Sequence, residues 1–144
     1  MGNEHLKVLF VAGFGPIVRD DAASRRLYLE CLGLPLKQHP TNTEYFHTDA
    51  IEGVKEYALW PLSQAAESCF GSSVWPNDVA IPQAWIEFDV ENIETASREM
   101  AANGYDLLVA CREEPWGQTV TRFLSPEGLL VGLTHTPWLR EKES

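Results

Sequence analysis

Apolar residues first gather between His5 and Gly13, where His-Leu-Lys-Val-Leu-Phe-Val-Ala-Gly is rich in branched side chains. The run closes on Gly13-Phe14-Gly15-Pro16, so the pattern predicts a buried strand ended by a turn. Asp20 or Asp21 then offers a helix cap, and Ala23, Leu27, Tyr28 and Cys31 recur at helical spacing. Gly33 is a natural C-terminal stop, which places a helix at Asp21 to Leu32. Short strands follow at Leu34 to Gln38, Glu44 to Thr48 and Val54 to Trp60, separated by polar breaks. Leu62 to Asn77 lacks a strand pattern and carries Gly, Ser and Pro, so it reads as a connection with one helical turn at Ser63 to Ser68. The pattern then restarts. Ala84 to Val90 alternates cleanly, with Ile86, Phe88 and Val90 on one face and Trp85, Glu87 and Asp89 on the other. Asn92 caps a helix through Asn103 that stops at Gly104. Strands follow at Tyr105 to Arg112, Gln118 to Leu124 and Leu129 to Thr136, the last two joined by the turn Ser125-Pro126-Glu127-Gly128.

The two halves repeat one another. Val18-Arg19-Asp20 before the first helix answers Val90-Glu91-Asn92 before the second, and Glu52-Gly53 answers Glu127-Gly128 at nearly the same separation. The chain is therefore expected to be a single domain of the α+β class. It is built from two tandem βαβββ modules that form a curved mixed sheet with helices on the outer face. Module one spans about residues 5–61, the connection about 62–80 and module two about 81–138. The inner face of such a sheet is concave and lined by strand side chains.

Composition narrows the function classes. The 144 residues are 44% apolar and 22% charged, which suits an ordinary core that needs no disulfide or metal staple. The formal charge of -10, from 21 acids against 11 basic residues, argues against nucleic acid and favours cationic ligands. No apolar run is long enough to span a bilayer, and Met1 to Lys7 lacks the basic start of a signal peptide, so no membrane role and a cytoplasmic location are expected. Cys31, Cys69 and Cys111 are odd in number and widely spaced, and are expected to be reduced, mostly buried thiols.

Asp20 to Gly33, Trp85 to Gly104, and above all Pro115-Trp116-Gly117 followed by Phe123-Leu124-Ser125-Pro126-Glu127-Gly128, resemble the vicinal oxygen chelate superfamily. That group holds glyoxalase I, fosfomycin resistance proteins, extradiol dioxygenases and bleomycin-binding proteins. The resemblance implies a divalent metal on the concave face of catalytic members, held by a His or similar ligand in each module's first strand and a Glu in its last. Counted from the helix caps and turn glycines, those positions are Gly13, Trp85, Tyr57 and Gly132 here, and none supplies an ordinary ligand. Glu56 stands one residue out of register, where alternation points it to the opposite face. The histidines His5, His39, His47 and His135 are scattered. A metal-free branch of the superfamily, with no cofactor, is the expectation; an atypical site on Glu56 or a histidine is the way it fails.

Flat aromatic surface replaces the ion in this reading. Trp85, Tyr57, Glu87, Arg122, Gly132 and Thr134 are the candidate ligand contacts, and Asp89, Leu59 and Val120 share their faces. Aromatic walls with acids and an arginine suit a planar or cationic molecule. The competing structural readings are that Trp85 and Tyr57 only fill space and that Glu87 and Arg122 form a buried ion pair. Trp60, Trp75, Trp116 and Trp138 are expected in core, interface or turn packing. The function that follows is sequestration of a small molecule, resembling the drug-binding antibiotic-resistance members, in which a homodimer is implied. An alternative is a lyase, isomerase or hydrolase with Glu87 or Asp89 as general base and Arg122 stabilising an oxyanion. No nucleophile motif or phosphate loop is present, and a non-catalytic interaction module is a third possibility.

Overall fold

The computed structural model describes residues 6–140, so the predicted strand start at His5 lies outside the described residues. Strand β1 (Val8–Val18) leads to α1 (Asp21–Arg25), which continues as a π-helical turn over Arg26–Cys31. Strands β2 (Lys37–His39), β3 (Asn42–Thr48) and β4 (Tyr57–Pro61) complete module one. Helix α2 (Leu62–Phe70) occupies the connection. Module two runs through β5 (Ala84–Val90), α3 (Ile93–Ala102), β6 (Val109–Glu113), β7 (Thr119–Leu124) and β8 (Leu130–His135), then a 3-10 turn at Pro137–Leu139. Asp20 and Asn92 cap α1 and α3 as the sequence suggests, accepting from the Ala23 and Thr95 amides.

The strands form one open, curved eight-stranded sheet in the order β2-β3-β4-β1-β5-β8-β7-β6. Each module contributes half of it with the same internal order, and the halves join where β1 pairs antiparallel with β5. One chain thus completes the sheet. Outside it, α1 and its π turn cover Val18, Phe46 and Leu59, while α3 covers Val90, Phe123, Val131 and Leu133. Val90 is 0% exposed, and such side chains contribute about 1.5–3 kcal/mol each when buried.

Three predictions need correction. The Gly13-Phe14-Gly15-Pro16 stretch is not a turn: β1 runs straight through it to Val18. The glycines are there because other groups press on the strand. A Cβ on Gly15 would lie 1.9 Å from the Ala58 carbonyl oxygen, and one on Gly13 would lie 2.7 Å from the Trp85 ring. Second, the connection is more than a link with one helical turn. Helix α2 packs Ala65, Ala66 and Cys69 against Ile17, Ala58, Trp60 and Trp85, on the concave side, and its Gln64 lines the hollow. Third, only Cys69 is buried; Cys31 and Cys111 are exposed, and all three thiols are free.

Candidate functional site

The inner face begins with the alternation of β5. Trp85, Glu87 and Asp89 all point into the hollow side and are 4%, 8% and 0% exposed. Sheet register sets their neighbours. Gly13 on β1 pairs with Glu87, Glu87 pairs with Gly132 on β8, and Gly132 pairs with Arg122 on β7. Glu56 precedes the Tyr57–Phe14 pair and so extends the row beside Gly13. Long side chains and glycines therefore alternate along Glu56, Gly13, Glu87, Gly132 and Arg122. A Cβ on Gly132 would lie 3.0 Å from Glu87 Cγ and 3.1 Å from Arg122 Nη1, so the glycine makes room for that pair.

Above the row lies a cavity of about 660 Å³, a size suited to a small organic molecule. Its walls include Trp60, Trp85, Trp116 and Trp138, together with Tyr45, His39 and His47. Glu56, Glu87, Gln118 and Arg122 supply the polar groups. Trp116 and Trp138, 51% and 57% exposed, stand where the cavity meets solvent. Trp116 and Trp138 thus line the hollow, where packing was expected of them, while Trp60 packs in the core as expected and also borders the hollow. Trp75 does pack inside, its indole donating to the Val79 and Ala80 carbonyls.

Arg122 is 1% exposed and fully engaged. It donates from Nη1 to Glu87 Oε2 at 2.9 Å and from Nε to Ser68 Oγ at 3.0 Å, and its guanidinium stacks 4.8 Å from the Trp60 ring. Glu114 Oε2 lies 4.0 Å from Nη2 and accepts from Ser68 Oγ at 2.5 Å. Glu87 also accepts from Gln118 Nε2 at 3.0 Å, and the Gln118 carbonyl in turn accepts from Trp116 Nε1 at 2.9 Å. A buried arginine between two carboxylates leaves no free positive charge facing the hollow.

Other candidates fall elsewhere. Asp89 accepts from the Thr134 and Thr136 hydroxyls, the Thr136 amide and Arg140 Nε at 2.5–2.9 Å. It therefore ties down the C-terminal segment, and neither Asp89 nor Thr134 reaches the cavity. Tyr57 lies on the outer face, its ring 6.3 Å from those of Tyr28 and Phe14, and Leu59 packs beside it. Alternation counted forward from Gly53 does not predict this face, because residues 49–56 form bends and a turn and β4 begins only at Tyr57.

The same break in phase brings Glu56 to the cavity, opposite to the face that alternation predicts for it. Its Oε2 lies 3.1 Å from His47 Nδ1, and no Lys or Arg among the described residues is within ion-pair distance. Burial first, then the charges of Glu87 and Asp49, push the Glu56 carboxyl up to about 7, while Tyr45 and His39 act in the opposite direction. His47 is held below its ordinary value, chiefly by burial and then by Lys37, so it is neutral near pH 7. Its ring stacks on Tyr45 at 5.4 Å. The Tyr45 hydroxyl is pushed well above its usual range by burial, helped by Glu56 and Glu87.

The hollow does not fit the metal that the sequence resemblance implied for catalytic relatives. Gly13 and Gly132 carry no donor, the Trp85 indole lies across Gly13 and donates to the Ala58 carbonyl, and Tyr57 faces away. Among the described residues no three His, Cys, Asp or Glu side chains gather as a ligand set.

The model of the glyoxalase/bleomycin resistance protein/dioxygenase superfamily matches residues 14–133. The chain belongs to this superfamily. Solved structures with the same fold include a hypothetical protein from Bacillus halodurans C-125, with TM-score 0.59 and 17% identity over 94% of this chain and 97% of that one. A superfamily member from Vibrio splendidus 12B01 has TM-score 0.55 and 19% identity over 89% and 99%. Methylmalonyl-CoA epimerase from Mycobacterium tuberculosis has TM-score 0.56 and 17% identity over 96% and 95%. At these identities the likeness shows the fold. Comparison with curated protein sequences returns no match. No helix of this superfamily member, among the described residues, is long and apolar enough to cross a membrane.

Proposed function

We propose that this superfamily member binds a planar, positively charged organic molecule in the tryptophan-lined hollow, without a metal, and thereby sequesters it. The observation that carries the reading is Glu56: a carboxylate in an aromatic cavity with no Lys or Arg partner among the described residues. Aromatic faces attract cations, and the buried acid gains most when a positive ligand replaces its proton. Arg122 does not oppose this, because Glu87 and Glu114 already offset its charge. Both modules of one chain build the hollow, so binding does not depend on the homodimer that drug-sequestering relatives suggest. Glu87 and Asp89, the bases named for an enzyme, are occupied by Arg122, Gln118, Arg140 and the threonines, which weighs against that alternative in its original form.

The test is a titration of tryptophan fluorescence with proflavine, a planar cation, and acridone, a planar neutral ring, each with and without EDTA. Proflavine is expected to bind at least about tenfold more tightly than acridone, a preference lost in Glu56→Gln and unaffected by EDTA. Equal binding of the two rings, or no binding of proflavine, overturns the reading.

A further inference from the structure

Gln118 stands where the floor of the hollow meets its mouth, and it is 6% exposed. Its Nε2 donates to Glu87 Oε1 at 3.0 Å and to Thr136 Oγ1 at 2.9 Å, while its Oε1 accepts from Trp116 Nε1 at 2.9 Å. The partners fix the direction of the amide, because an indole N–H only donates and a carboxylate paired with Arg122 only accepts. Both tryptophans at the mouth depend on this one side chain. Trp116 is held directly. Trp138 follows Thr136 in the 3-10 turn whose Leu139 amide donates to the Thr136 carbonyl at 3.0 Å.

The turn that carries Trp116 is braced at both ends. The Glu114 amide donates to the Gln118 carbonyl at 2.7 Å, and the Glu114 carboxylate accepts from Ser68 on α2. The indole at its tip nevertheless stays 51% exposed. A ring held in this way, with its polar edge turned into the protein, offers a ligand an apolar π surface and little to hydrogen-bond, at small entropic cost. Trp85, deeper in the hollow, is in the same state, its N–H donating to the Ala58 carbonyl at 3.2 Å.

We propose that Gln118 sets the ligand specificity of the hollow, by positioning Trp116 so that its ring face, and not its N–H, meets the ligand. The class selected is a fused-ring organic cation that brings no hydrogen-bonding group to this wall, and affinity grows with the ring area laid against it. This rests on the hollow binding a planar cation, and it adds which planar cations are preferred and the residue that makes the choice.

The test compares N-methylquinolinium with N-methylacridinium, permanent cations of two and three fused rings without N–H or O–H groups, by fluorescence titration. Wild type is expected to bind the three-ring cation about tenfold more tightly. In Gln118→Met, which keeps the length of the side chain without its hydrogen bonds, the preference should fall to about threefold or less. Trp116→Phe should lose it to the same extent, and the double variant should lose no more than either alone. In protein labelled with 5-fluorotryptophan, the Trp116 resonance, assigned by its loss in Trp116→Phe, should shift in Gln118→Met while those of Trp75 and Trp85 stay. A merely structural role would move all three. An unchanged preference in folded Gln118→Met, or an unmoved Trp116 resonance, overturns the specificity role and leaves binding intact. If Gln118→Met does not fold, Trp116→Phe at its exposed position decides, and an unchanged preference there overturns the role. Wild type that binds proflavine but not N-methylacridinium overturns it as well, and failure to bind either cation overturns the binding reading with it.

Discussion

Replacing Glu56 with Gln should make the fold more stable, and only at neutral and alkaline pH. In the unfolded chain this carboxyl titrates near the ordinary 4.5, and in the folded chain near 7. The folded protein therefore holds the proton more tightly, and stability falls as pH rises from about 4.5 through about 7. At about 1.4 kcal/mol for each pH unit separating the two values, the ionised carboxylate costs the fold about 3 kcal/mol. Its side chain keeps 30% exposure, and solvent screening reduces the figure to about 2 kcal/mol. Gln mimics the protonated acid and escapes this cost. Urea denaturation of wild type and Glu56→Gln at about pH 8 should differ by about 2 kcal/mol in favour of the variant, worth about 6 °C in Tm. At about pH 4 the two should coincide. A variant no more stable than wild type at high pH, or equally stabilised at both, would refute the claim that Glu56 sits uncompensated in the hollow.

Cation affinity should follow the same titration, weakening as pH falls below about 7; proflavine titrations across that range check it, and a flat profile contradicts a role for ionised Glu56. Gly15→Ala would drive a Cβ to 1.9 Å from the Ala58 carbonyl, a backbone clash expected to cost about 3 kcal/mol or more in urea unfolding. Arg122→Met should cost about 3–5 kcal/mol because Glu87 and Glu114 lose their buried partner, and adding Glu87→Leu should recover part of that loss in a double-mutant cycle. Asp89→Asn should loosen the segment from Thr134 to Arg140, seen as faster amide hydrogen exchange there, with proflavine binding retained.

How far the sequence discloses the site depends on where its periodicity is unbroken. Strand β5 alternates across its whole length between two differently buried faces, so Trp85, Glu87 and Asp89 were correctly grouped from the pattern alone. The same pattern could not say that Asp89 would be used up by the threonines and Arg140, because that depends on a chain segment far away in sequence. In β1 the glycines imitate a turn, although they mark close approach by the Ala58 carbonyl and the Trp85 ring. For β4 a usable signal existed. Counting back from Trp60 through Ala58 places Glu56 on their face, whereas counting forward from Gly53 passes through bends and loses the phase. Trp116 and Trp138 carry no periodic signal, since one sits in a hairpin turn and the other in a 3-10 turn, and only the fold brings them to the cavity.

The row across the sheet explains why the proposed binding role falls to Glu56 instead of Glu87 or Asp89. Gly13 and Gly132 clear space on either side of Glu87, and Arg122 uses the space beside Gly132 to reach that carboxylate. Trp85 leans over Gly13 and Gly15 and closes the ground where a metal ligand of a catalytic relative would stand. Of the three acids on β4's approach and β5, two are thus bound to arginines, and their charges serve packing. Among the described residues Glu56 meets the hollow with no Lys or Arg within ion-pair distance, its neighbours being a neutral His47 and the Tyr45 hydroxyl. A fold that tolerates about 2 kcal/mol of charge without a Lys or Arg partner at one cavity position, while pairing Glu87, Glu114 and Asp89 with arginines, has that carboxylate available for a ligand's charge.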